Sequence, residues 1–302
     1  MSTLDSSPSI LPLYVKAALP LLPGASSLPF VPGGGGEIPS GLELELKGVR
    51  PERDRVADYA KVCGFRLREE LPPTFPHILA FPLHMAVMSD GRFPFGAVGL
   101  VHIENTITRH RPVTFEDAQD IRVGVSRLKA HPKGQSFSLL TEVGVEGETV
   151  WTETSTMLRR GKTFGEEQAE PAPFPTLGAE TPASATWRLS GDLGRRYGAV
   201  SGDRNPIHMH ALTARPLGFD SAIAHGMWTL ARSLAQLENR LPDSFTVAAR
   251  FRRPIHLPGR VGFASGDEGE RTLFSVRDAG DGTPHLDGTI DPLPTDTAKA
   301  SV

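Results

Sequence analysis

Asp203, Asn205 and His208 stand within six residues of one another in the run YGAVSGDRNPIHMH, residues 197–210. A carboxylate, an amide and an imidazole at that spacing can take a proton from one atom and return one to another. Pro206 fixes φ inside the turn and biases Asn205 toward an extended backbone, so a stiffened loop displays all three side chains. Seventeen residues past His208, His225-Gly226-Met227 opens an apolar helical pattern. The first N–H groups of such a helix have no intrahelical acceptor and can hold a developing oxyanion. An acid/base pair facing such a donor suits proton chemistry beside a carbonyl.

The elements that must position these groups are readable from periodicity. Met227, Leu230, Ala231, Leu234 and Leu237 recur at three- and four-residue steps, which predicts a helix over 226–240 halted by Pro242. Alternating residues such as Phe245, Val247 and Ala249 predict strands near 245–253, 260–267, 271–277 and 284–290. An earlier region gives a helix near 76–88 and strands near 97–109, 120–130, 136–145 and 149–159. Periodicity by itself supports α+β with antiparallel sheets.

At 302 residues the chain exceeds the usual size of one hydrophobic core, so two domains are expected. A formal net charge of −3 gives no polybasic surface for nucleic acid. Cys63 is the single cysteine, which rules out an intrachain disulfide and fits a reducing, cytoplasmic setting. The apolar N-terminal stretch lacks a basic leader and is interrupted by Pro12, Pro20, Pro23 and Pro29, so no signal or membrane span is expected. Residues 1–41 read as an irregular arm ending in a flexible Gly-rich connection over 32–41, which lacks the Lys-Ser/Thr of a phosphate-binding loop.

A Pro/Glu/Ala-rich linker over 161–185 separates two related halves, 42–160 and 186–292, with a tail over 293–302. Asp54 precedes Tyr59 by five residues and Asp192 precedes Tyr197 by five. Tyr59 to Pro112 spans 53 positions and Tyr197 to Pro254 spans 57, the pattern of an internal duplication. Opposite Asp203 the first half carries Phe65, and opposite His208 it carries Glu70, so only the second half keeps the acid/base residues.

The run Y-x-x-x-S-G-D-x-N-P-I-H, followed by G-F-x-x-x-I-A-H-G-M, resembles the hydratase 2 motif of the MaoC-like dehydratases. At full length the chain is similar to the actinobacterial two-domain members of that family. The resemblance implies a double hot-dog fold, with two antiparallel sheets each wrapped around a long central helix. The first half would be degenerate and non-catalytic and would widen the acyl tunnel. The implied activity is reversible dehydration of (3R)-3-hydroxyacyl thioesters to trans-2-enoyl thioesters, with an acyl-CoA or acyl-carrier-protein substrate. By the same resemblance Asp203 and His208 form the dyad, Asn205 positions it or its water, and the Gly226 amide is the oxyanion donor. No cofactor is needed, and a homodimer is compatible with the fold.

Rival readings are a hot-dog acyl thioesterase and a non-catalytic acyl-binding subunit of a synthase. His208, His210 and His225 are weighed as a metal set, but no adjacent carboxylate or cysteine ligand is evident and no metal is expected. His225 is expected to anchor its loop, Ser201 to hold the turn, and Tyr59 and Tyr197 to be structural. Arg250 and Arg252 share a strand face, with Arg253 opposite and Arg109 and Arg111 at matching places. They read either as a phosphate-landing strip for a pantetheine carrier or as solvated strand edges.

Overall fold

The structure, a computed structural model, describes residues 2–19, 31–33, 35–161 and 173–294. In the first half, β2 (Leu44–Val49) leads into α2 (Arg53–Cys63) and α3 (Phe75–Met88). Strands β3 (Val101–Arg109), β4 (Gln119–Val125), β5 (Lys129–His131), β6 (Gly134–Val145) and β7 (Glu148–Arg160) follow. The second half opens with β8 (Ala185–Leu189), α4 (Leu193–Ser201), α5 (Pro206–Met209), α6 (Ala211–Ala214) and α7 (Gly226–Gln236). It ends with β9 (Phe245–Phe251), β10 (Gly259–Glu268), β11 (Arg271–Asp278) and β12 (Pro284–Pro292). Ahead of both halves lie β1 (Ser2–Leu4) and α1 (Ile10–Ala18).

Strand order repeats between the halves. The path β2-β4-β6-β7-β3 in the first is matched by β8-β10-β11-β12-β9 in the second, antiparallel throughout. The expected double hot dog is present with one difference: the two sheets are not separate. Antiparallel pairing of β3 with β9, from Glu104↔Arg250 to Arg109↔Phe245, joins them into one sheet, twelve-stranded among the described residues. Joining the two inner edges satisfies backbone groups that would otherwise be open to strand addition.

Each half carries its apolar helix against the sheet. Every residue of α3 except Ala86 is buried, as a helix hydrophobic all round must be. The five residues chosen by periodicity pack as expected: on α7 Leu230, Ala231 and Leu234 are fully buried and Met227 nearly so, and Leu237, just past its end, is nearly buried too. The helix proper stops at Gln236, and a single tight turn over Glu238–Arg240 replaces the last predicted turn before Pro242. The two matched tyrosines meet at the centre, with Tyr59 and Tyr197 ring centroids 6.1 Å apart, where α2 packs on α4.

The arm departs from its expected irregularity. β1 pairs in parallel with β2, and α1 forms despite Pro12, which falls in the first turn where a missing N–H breaks no intrahelical bond. In the Gly-rich connection, the Gly33 and Gly35 amides donate to the Phe93 and Pro94 carbonyls. Of the proposed linker, 162–172 lie outside the described residues and Ala185 already begins β8. Among the described residues no helix is long and apolar enough to cross a membrane.

Candidate active site

The site begins where α4 ends. Gly202 takes a left-handed conformation, φ 82°, which turns the chain out of the helix, and the Ser201 hydroxyl accepts the Asp203 N–H at 3.1 Å. Asn205 then caps α5, its side-chain oxygen accepting from Ile207 N, with Pro206 at the first helical position. The backbone N–H of Asn205 points back to Asp203 Oδ1 at 3.1 Å. One turn thus orients the carboxylate and launches the short helix that carries His208.

Gly194 allows α4 and α5 to meet. A Cβ there would lie 1.9 Å from the His208 carbonyl oxygen, a backbone atom with nowhere to go. Gly194→Ala is therefore expected to displace the His208 turn, costing roughly 1–3 kcal/mol of stability and most of the activity. Thermal unfolding measured beside turnover checks this; a variant with wild-type values in both would show that the close approach is dispensable.

His208 is buried, and its Nδ1–H donates to the Ile223 carbonyl at 2.8 Å, which leaves Nε2 as the basic nitrogen. Burial lowers its pKa against the pull of Asp203, so the ring is neutral at neutral pH. Burial opposes the charge on Asp203, but His225, His208, the Asn205 amide and the Tyr14 hydroxyl outweigh it and hold the carboxyl below its usual range. A nitrogen of His208 and an oxygen of Asp203 lie within 4.8 Å of each other. One water reaching about 2.8 Å to each can bridge that gap.

His225 anchors the loop, as expected. Its Nε2–H donates to the Asp203 backbone carbonyl at 2.9 Å, and its ring stacks on His208 with centroids 3.6 Å apart. Burial and the neighbouring His208 push its pKa down to about 3, so it adds no charge to the stack. A carboxylate does stand beside two of the histidines weighed as a metal set: Asp203 groups with His208 and His225, and His210 does not. Hydrogen bonds already engage His208 Nδ1 and His225 Nε2, however.

Gly226 opens α7 directly after His225, so its N–H has no acceptor within the helix. Gly226, Asp203, Asn205 and His208 line one cavity of about 670 Å³, which continues past Met227 and Phe251 into the first half. A Cβ on Gly226 would meet the Phe251 ring at 3.0 Å, so the missing side chain lets that ring close over the helix start.

Tyr14 was not found by sequence reasoning. Its hydroxyl donates to Asp203 Oδ1 at 3.0 Å and accepts the Arg204 N–H at 2.7 Å. Burial and the Asp203 charge push the phenol well above its ordinary pKa, so it remains a donor. Tyr14→Phe removes a bond that favours the ionised carboxylate and must raise the pKa of Asp203. For an acid/base pair that works with Asp203 ionised and His208 neutral, the lowered values predict kcat/KM level through neutral pH and falling in acid. In Tyr14→Phe the carboxylate stays ionised at neutral pH but loses a hydrogen bond that fixes it, so kcat/KM should fall about three- to tenfold across the neutral plateau. Superimposable pH profiles would show that the phenol has no hold on the carboxylate.

The arginine strip is only partly present. Arg109 is buried and donates to the Asp243 and Pro242 carbonyls, and Arg111 pairs with Asp117 at 3.6 Å. Arg250, Arg252 and Arg253 do line the cavity, with Arg250 also bonded to Glu104 and Arg252 to Asp287.

Residues 174–278 match the MaoC like domain, a stretch that spans the Asp203 turn, the Gly226 helix start and the strands behind them. The chain belongs to the MaoC-like dehydratase family. It is 36% identical over 277 residues to the 3-hydroxyacyl-thioester dehydratase X of Mycobacterium tuberculosis, covering 90% of this chain and 93% of that protein. The crystal structure of HtdX from the same organism superposes with a TM-score of 0.74 at 33% identity, covering 83% of this chain and all of that one. A MaoC-like dehydratase from Phytophthora capsici shares the fold at 17% identity, with a TM-score of 0.70 over 85% of this chain and 97% of its own.

Proposed function

We propose that the chain is a hydro-lyase that interconverts (3R)-3-hydroxyacyl and trans-2-enoyl thioesters, with the second half as the catalytic unit. The observation that supports this reading is the shared cavity that Asp203, His208 and Gly226 all line, with His208 Nε2 left outside the bond to the Ile223 carbonyl. In hydration, a water held between Asp203 and His208 gives a proton to the dyad as its oxygen bonds Cβ. The resulting enolate oxygen rests on the Gly226 N–H. The dyad then returns one proton to Cα, so the net change is addition of H and OH across the double bond. Dehydration runs the same steps backward. Asn205 holds the Asp203 carboxylate through its backbone N–H and caps the helix of His208.

The likeness to the mycobacterial 3-hydroxyacyl-thioester dehydratase X over nine-tenths of the chain supports the same substrate class. The repeated strand order supports a division into a degenerate hot dog over 42–160 and a catalytic one over 186–292. The arginines at the cavity, Arg250, Arg252 and Arg253, suit the phosphates of coenzyme A or of an acyl-carrier-protein arm. Simultaneous recording of enoyl absorbance and free thiol tests the reading. Loss of enoyl absorbance without thiol release is expected. Thiol release at constant enoyl absorbance would make the chain a thioesterase instead.

A further inference from the structure

Charge changes sign along the cavity. Its inner part is backed by carboxylates: Asp203 of the dyad, and Glu153 behind His77 in the first half, held by His77 Nδ1 at 2.8 Å and Asn105 Nδ2 at 2.7 Å. Its outer part is lined by cations, Lys129, Lys133 and Arg160 from the first half and Arg250, Arg252 and Arg253 from the second. All of these except the half-buried Arg250 are exposed. Glu104 also lines this part, with its charge met by Arg250 at 2.8 Å. An anion carried on the substrate is therefore favoured only at the outer end.

The seam between the sheets joins the two parts. β3 slips in register against β7 between His102 and Glu104, and its pairing with β9 stops at Glu104↔Arg250. Residues 101–103 and 251–253 lie beyond that last pair, and all of them line the cavity. Along β6, Ser136 and Ser138 alternate with Phe137 and Leu139, and all four line it as well, so the cavity reaches both faces of the sheet. It leaves the helix side where the two strands part, next to the Phe251 ring that lies over Gly226. From that exit Val101 pairs with Leu158, Leu158 with Ser136, and Ser136 with Lys129. Three strand spacings, about 14 Å, thus separate the exit from Lys129.

We propose that Lys129, Lys133 and Arg160 form a subsite for the ribose 3′-phosphate of coenzyme A, so that the half without the dyad selects the carrier. The inference rests on the hydratase reading and adds a carrier to it. Lys129 and Lys133 flank His131 in the β5–β6 hairpin, and Gly134, next to Lys133, pairs with Arg160 of β7. Two strand spacings, about 10 Å, hold all three cations. None of them has an ion pair or side-chain hydrogen bond among the described residues, whereas Arg250 is bonded to Glu104 and Arg252 to Asp287. A phosphomonoester is a compact dianion that such a cluster can surround. Arg250, Arg252 and Arg253, at the exit itself, remain for the pyrophosphate, and the pantetheine arm runs inward from there to Gly226. An acyl-carrier-protein arm bears a single phosphodiester and would leave the hairpin cations unmet.

The test compares one trans-2-enoyl chain carried on coenzyme A, on 3′-dephospho-coenzyme A and on acyl carrier protein. In the wild type, loss of the 3′-phosphate should lower kcat/KM about tenfold, through KM rather than kcat, and added salt should shrink the difference. In Lys129→Gln/Lys133→Gln, and in the triple variant with Arg160→Gln, that ratio should fall to about one because the coenzyme A value drops. All three positions are exposed, so the fold should be kept, which a thermal melt checks. Equal values for the two coenzymes in the wild type overturn the subsite while leaving the hydratase reading intact, as does a ratio that survives the triple substitution. A carrier-protein thioester that outruns the coenzyme A thioester and slows in the same variants also overturns it, making the hairpin a protein-docking surface. Absence of hydration on all three carriers overturns both readings.

Discussion

Asp203→Asn and His208→Gln should each lower hydration of a trans-2-enoyl-CoA by about 10³-fold or more while the protein stays folded. Asn keeps the size of Asp203 and can still meet the Asn205 N–H, but it carries no charge and cannot take a proton from water. Gln at 208 can still donate to the Ile223 carbonyl, so the turn survives, but it has no basic nitrogen in place of Nε2. On the proposed mechanism both groups act on one water, so their losses should not add. The double variant should be about as slow as the worse single one, as residues working as a unit behave. Steady-state kinetics with a thermal melt for each variant checks this. Additive losses would mean two independent roles.

Gly226→Pro should cost about 10²–10³-fold in kcat, the usual price of one oxyanion donor. Proline suits the first position of a helix, and His225 before it is already extended at φ −67°, ψ 137°, so α7 should persist. The new ring also adds bulk against Phe251, where a Cβ lies at 3.0 Å. Gly226→Ala adds that bulk and keeps the N–H. The difference between the two variants isolates the donor: Ala should lose much less than Pro, chiefly in KM. Equal losses would assign the whole effect to Phe251 and remove the amide from the mechanism.

What was legible in the chain follows from distance along it. Asp203, Asn205, His208 and Gly226 sit within one contiguous stretch, and their elements, α4, α5 and α7, carry local signals: a Gly stop, an Asn-Pro cap, an apolar three-four repeat. The helix starts and most strands were readable for the same reason. Tyr14 was not, because it reaches Asp203 across 189 positions from an arm whose prolines argued against order. The joining of the two sheets at β3 and β9 was hidden too, since edge pairing between halves leaves no local pattern. His77 and His84 read as part of an apolar helix. Only tertiary contact across 76 positions reveals that Glu153 converts that helix into a polar wall.

The account depends most on water being added to Cβ from the dyad's side of a thioester pinned at Gly226. Chiral analysis of the product formed by the wild-type protein from a trans-2-enoyl-CoA reads that event directly. A (3R)-3-hydroxyacyl-CoA with its thioester intact is the expected product. A (3S) alcohol, or free coenzyme A with the double bond unchanged, would contradict the account.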